Sequence, residues 1–161
     1  MAIPDEDFTE TVGLPGLLFP FVPHSIETGL MQDGRESGGG FPVYGKKGEG
    51  DKAYASFPQV ADSTKDDGST KDDPDGFLKG IAVRTKFDCH DEGYAKGDHV
   101  NVLKKGRVWV RVLGEVLSGQ PAYVNTTNNG ITATASGNTA IPGGTFKTSA
   151  ADGKLAQLEI A

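Results

Sequence analysis

The stretch NVLKKGRVWVRVLGEV, residues 101–116, decides how the chain is read, because it sets two lysines, two arginines and the only tryptophan among seven branched aliphatics. Pairing Val102 with Val108 and Val100 with Val110 leaves Lys104-Lys105-Gly106 as a three-residue connection with glycine last. That is the chemistry of a hairpin closed by a glycine bulge. The expectation is therefore a hairpin with strands at 99–103 and 107–113. One face carries Val100, Val102, Val108, Val110 and Val112 and faces a core, each valine contributing roughly 1.5 to 3 kcal/mol before ordering costs are subtracted. The other face carries Arg107, Trp109, Arg111, Leu103 and Leu113, and is packed under another part of the chain or held against another subunit.

Further strands are predicted at 41–44, 80–87, 121–124, 131–134, 145–148 and 155–160. Residues 80–87, GIAVRTKF, alternate with Ile81, Val83, Thr85 and Phe87 on one face, the period of a half-buried strand. Between the strands lie GYAKGD, LSGQ, NTTNNG, IPGG and SAADGK, rich in residues that tolerate turn geometry. With 23 Gly and 9 Pro in 161 residues, the composition suits short strands and many loops. The fold class is all-β: one small domain, a sandwich, jelly roll or barrel, with an extended N-terminal arm.

The arm covers residues 1–40 and the β domain residues 41–161. Within the arm, GLPGLLFPFVPH places Leu17, Leu18, Phe19 and Phe21 among three prolines that forbid a regular helix, so the segment is extended and its apolar residues need a surface to dock on. ESGGGF, residues 36–41, reads as a flexible joint. Residues 61–76 contain the direct repeat STKDD and almost nothing apolar, and read as a solvated loop.

The net charge of −6 gives a field that repels phosphate, so no direct nucleic-acid partner is expected. Trp109 between Arg107 and Arg111 is the one place where a single strand could stack. The start, MAIPDEDFTE, lacks the layout of a signal peptide and no apolar run approaches the ~20 residues that span a bilayer, so synthesis in the cytoplasm and no membrane partner are expected. The lone Cys89 closes no intrachain disulfide. CHDEGYAKGDH, residues 89–99, gathers Cys89, His90, Asp91, Glu92, Asp98 and His99 but has no paired ligand spacing, and reads as a polar connecting loop. The Asp-rich repeat fails the EF-hand pattern at Ser63 and Lys65 before Gly68, and at Lys71 before Gly76. Phosphate-loop, dinucleotide, nucleophile-elbow and zinc-protease motifs are missing. Neither an enzyme, a cofactor nor a metal is expected.

Three blocks, KGDHVNVLKKGRVWVRV (96–112), GEVLSGQPAYVN (114–125) and GGTFKTSAADGKLAQLEI (143–160), occur in an order that resembles the cement, or decoration, proteins of tailed-bacteriophage capsids. The resemblance implies a structural virion protein that binds the outer surface of a capsid, made in the host bacterial cytoplasm. It implies as partners the major capsid protein, whose neighbouring subunits it would bridge, and the chain itself as homodimer or homotrimer. Leu17, Leu18, Phe19 and Phe21 would then supply an apolar anchor, and Arg107, Trp109 and Arg111 a contact face. The competing expectation is a stand-alone β module that binds single-stranded nucleic acid or carbohydrate.

Overall fold

The computed structural model describes residues 15, 16, 18, 24–35, 37, 39–84 and 93–161, and among them every regular element is a strand. In order these are β1 (Ser25–Met31), β2 (Pro42–Lys46), β3 (Lys52–Ala53), β4 (Gln59–Ala61), β5 (Thr70–Asp72), β6 (Gly76–Val83), β7 (His99–Arg111), β8 (Pro121–Val124), β9 (Ile131–Thr132), β10 (Thr139–Phe146) and β11 (Leu155–Ile160). The all-β expectation holds, and the choice among architectures falls on a nearly closed, barrel-like sheet.

The hairpin expectation does not hold. Residues 99–111 form the single long strand β7, and Val108 and Val110 pair with Leu158 and Ala156 of β11 instead of with Val102 and Val100. The first half of β7 has its own partners, β1 on one side and β6 on the other. A local turn signal loses here to three flanking strands, each of which satisfies more backbone groups than a three-residue turn could.

β7 is common to two rings of hydrogen-bonded strands. The first runs β7, β11, β10, β8, β9 and closes through a parallel bridge between Val112 and Ile131, where the Leu113 amide donates to the Ile131 carbonyl at 2.8 Å. The second runs β7, β1, β3, then through the reciprocal Tyr54–Tyr44 backbone bonds, both 2.8 Å, to β2, and through β6 back to β7. Each ring encloses its own apolar side chains. Val108, Val110, Val112, Phe146, Leu158, Ile131 and Val124 belong to the main core, which also takes Leu103, Ile81 and Tyr44. Met31, Val43, Ala53, Ala82, Val100 and Val102 form the second core, where Phe41 meets Tyr94 edge to face at 5.8 Å between ring centroids.

The five valines therefore do not share one core. In an unbroken strand residues 102 and 108 would face the same side, yet Val108 sides with Leu103. The change of phase comes from one extra residue on β7: Ile26 pairs with Leu103 but Ser25 with Lys105, leaving Lys104 bulged. β6 does the same, since Val43 pairs with Gly80 and Tyr44 with Leu78, leaving Lys79 bulged. A slip of one residue sends every later side chain to the opposite face. The two bulges are tied together, the Lys104 Nζ donating to the Lys79 carbonyl at 2.6 Å.

The structure also differs from the sequence reading at both ends of the expected loop and arm. Ser25–Met31, read as arm, is a strand of the sheet. Thr70–Asp72, read as loop, pairs with Gln59–Ala61 in a separate exposed hairpin. The residue that anchors this hairpin is Asp73, only 4% exposed. Its carboxylate lies 2.9 Å from Lys46 Nζ and accepts the Asp75 amide at 2.9 Å.

These bonds, the Lys46 contact foremost, hold the Asp73 carboxyl below its ordinary value of 3.8. A depressed carboxyl stabilises the fold above that ordinary value and ceases to do so as pH falls through the lowered one. Asp73→Asn is expected to lower the melting temperature at pH 7, with the gap to the parent protein closing below pH 3.8. A gap independent of pH would show that the ion pair is not its source.

Candidate interaction surface

The outward face of β7 sets Arg107 opposite Glu159, Trp109 opposite Gln157 and Arg111 opposite Leu155 of β11. The Arg107 guanidinium donates from Nε and Nη2 to Glu159 Oε2 at 3.0 and 2.6 Å, and Lys147 Nζ stands 3.9 Å from the other carboxylate oxygen. Chiefly through the Arg107 bond, the Glu159 carboxyl is held below its usual range. Arg111 donates from Nη1 to the Gly153 carbonyl at 2.6 Å. Trp109 is half-buried. Both cations that suggested a phosphate-binding platform thus already hold acceptors of the same chain.

The open side of β7 beside Trp109 is covered by the root of the arm. The Gly16 amide donates to the Trp109 carbonyl at 2.7 Å, the Gly16 carbonyl accepts the Arg84 amide at 2.7 Å, and Arg84 Nε donates to the Pro15 carbonyl at 3.0 Å. Leu18 bridges to Val108 and packs on the main core. Of the other expected arm contacts, Leu17, Phe19 and Phe21 lie outside the described residues. So do Cys89, His90, Asp91 and Glu92; Asp98 accepts the Ala95 amide at 2.8 Å, and His99 is exposed at the start of β7. Among the described residues no three His, Cys, Asp or Glu side chains are grouped to hold a metal ion.

Glycines 39 and 40, expected to act as a joint, serve instead as a crossing point for two backbones. A Cβ on Gly16 would stand 2.5 Å from the Gly40 nitrogen, and Gly16 and Gly40 both take left-handed backbone, with φ of 83° and 76°. Only glycine meets both requirements together. The Gly40 amide then donates to Ala82 of β6 at 2.8 Å, fixing the arm root to the second ring.

Beside this crossing lies an open groove of about 460 Å³, walled by Pro15, Arg35, Phe41, Arg111, Leu113 and Asp152 among others. The Arg35 guanidinium sits 5.4 Å from the centre of the Phe41 ring. Leu113 is 43% exposed. It lies flat over Gly130, where a Cβ would meet its Cδ2 at 2.6 Å. Asp152 is occupied by the Gly114 amide at 2.7 Å. Arg35 and Asp152 carry no signal in the sequence because they arrive from separate loops far apart in the chain, and Leu113, expected on a strand, lies in the bend after β7. The one available signal was Leu113 itself, an apolar residue directly before the Gly114 turn.

Comparison with known proteins gives the same direction as the residue blocks. Residues 8–161 match the family profile described as structural cement protein (E217 gp24/Pam3 gp6). The fold is similar to a chain in the capsid of Myoviridae phage XM1, with 17% identity, a TM-score of 0.62, and 99% of this chain and 98% of that one covered. A weaker likeness links it to the head fiber gp8.5 N base in bacteriophage phi29, with 12% identity, a TM-score of 0.42, and coverage of 86% and 95%. No curated protein matches the sequence.

Proposed function

Because the chain belongs to the structural cement proteins of phage capsids, a virion family with a capsid-stabilising role, we propose that it binds the outer surface of the shell and bridges neighbouring major capsid protein subunits. The observation that carries this reading is the extent of the family match, which takes in both rings and the arm root together. The role is mechanical and not catalytic. A body that touches several subunits at once needs only modest affinity at each contact, since the second contact forms intramolecularly.

In this reading the chain is made in the host cytoplasm, assembles as a homodimer or homotrimer, and uses Arg107, Trp109 and Arg111 as its contact face. The working arm is the part ahead of β1, because Ser25–Met31 is already committed to the sheet. Leu17, Phe19 and Phe21 are its apolar anchor, and Leu18, packed on the main core, holds its root in place.

Purified protein is expected to sediment with expanded, cement-free shells and to scatter light as a dimer or trimer. Replacing Leu17, Phe19 and Phe21 together by Ser should release most of it from the shells, with melting curves checking that the variant is folded. Retention equal to the parent would remove the arm from the account. A strict monomer that ignores shells would remove the reading itself.

A further inference from the structure

We propose that the groove beside the arm root receives an extended, carboxylate-bearing segment of a coat subunit, its acid meeting Arg35 and Arg111 and an apolar neighbour resting on Leu113. This rests on the capsid-binding reading and assigns it a site.

The charge of the groove is the first reason. Arg35 is half-buried, and among the described residues its guanidinium makes no hydrogen bond or ion pair, only the stack on Phe41. A guanidinium carries five N–H donors in a rigid fork whose best match is a carboxylate or phosphate. Stacking on an aromatic ring fixes the fork in place without using any of those donors. Arg111 gives one donor to Gly153, and among the described residues its other donors have no partner. The one nearby acid among the groove residues named, Asp152, has an oxygen engaged by Gly114. Among its described lining residues the groove thus sets two cations against one carboxylate, in a protein whose net charge is −6.

The walls decide which anion. Pro15, Phe41, Val112, Leu113 and Ile131 give the groove apolar surface, with Leu113 the one substantially exposed. Phe41 is only 3% exposed beneath Arg35, so among the described residues of the groove no aromatic face is free to stack a base. Single-strand binders combine such faces with a continuous cationic track, and neither is present among the described residues of this groove. A peptide offering an acid beside an apolar side chain matches both the cations and the leucine. Backbone recognition contributes little, since the Gly40, Gly130 and Gly153 amides already donate within the chain.

The test uses the full chain and cement-free expanded shells. Arg35→Gln, Leu113→Ser and, as a control on a turn outside the groove, Lys47→Gln are compared with the parent by co-sedimentation over a range of salt. Neither Arg35 nor Leu113 is itself a buried core residue, and melting curves check that each variant, Arg35→Gln with its lost stack on Phe41 included, is folded. Arg35→Gln and Leu113→Ser are each expected to weaken shell binding about tenfold, with Arg35→Gln also flattening the salt dependence, while Lys47→Gln binds as the parent does. Parent-like binding by both groove variants overturns the site and leaves the capsid reading standing. Failure of the parent protein to bind shells overturns that reading, and the occupant with it. Binding of an oligothymidylate that is lost in Arg35→Gln would assign the groove to nucleic acid and overturn the peptide.

Discussion

Gly80→Ala is expected to destabilise the protein by about 4 kcal/mol or more, at the upper end of what a single substitution does. A Cβ at this position would stand 2.2 Å from the Leu103 carbonyl oxygen and 2.8 Å from Val102 Cγ1. The first of these is backbone of the neighbouring strand, so no rotamer change relieves it; β6 and β7 must part. They would part beside the two bulges, where β7 passes from one core to the other. Both cores should loosen together, and urea unfolding followed by Trp109 fluorescence and by far-ultraviolet dichroism should shift by the same amount. A loss below about 1 kcal/mol, the middle of the ordinary range, would mean that the strands are not locked at this point.

Phe146→Ala should cost about 3 to 5 kcal/mol, the transfer free energy of the ring plus the cavity it leaves. Phe146 is fully buried in the main core, on β10, and its backbone is pinned on both sides, the amide donating to Gln120 at 2.9 Å and the carbonyl accepting from Gly119 at 2.8 Å. With the backbone held there, the surroundings have little freedom to collapse into the space. Phe146→Leu should recover most of the loss, and equal losses for the two variants in chemical denaturation would argue against a cavity as the cause.

The parts of the fold that the sequence makes legible are those where one physical signal acts alone. Leu155–Ile160 alternates and is flanked by DGK, so its strand and its buried face, Ala156, Leu158 and Ile160, follow from period alone. Pro121–Val124 is as plain. β7 is harder to read because two signals compete over it: KKG has the composition of a turn, and the valines alternate correctly on either side of it. What decides between them is whether other strands are available, and β1, β6 and β11 all come from elsewhere in the chain. β1 itself, SIETGLM, gives little warning, since its first four residues are exposed and only Gly29 and Met31 are buried.

The candidate surface divides in the same way. Arg107, Trp109 and Arg111 do share a face, as alternation requires. Their partners, Glu159 and the Gly153 carbonyl, were not legible, because register between distant strands is not written in either strand by itself. The groove was less legible still: Arg35, Arg111 and Leu113 become neighbours only once both rings have closed.

A strand common to two closed rings also has a mechanical meaning. Tension that enters the molecule at one ring reaches the other along the covalent chain of β7 and crosses no hinge. Where that tension acts along β7, the flanking ladders are loaded lengthwise, so their hydrogen bonds share the load and do not open one after another like a zip.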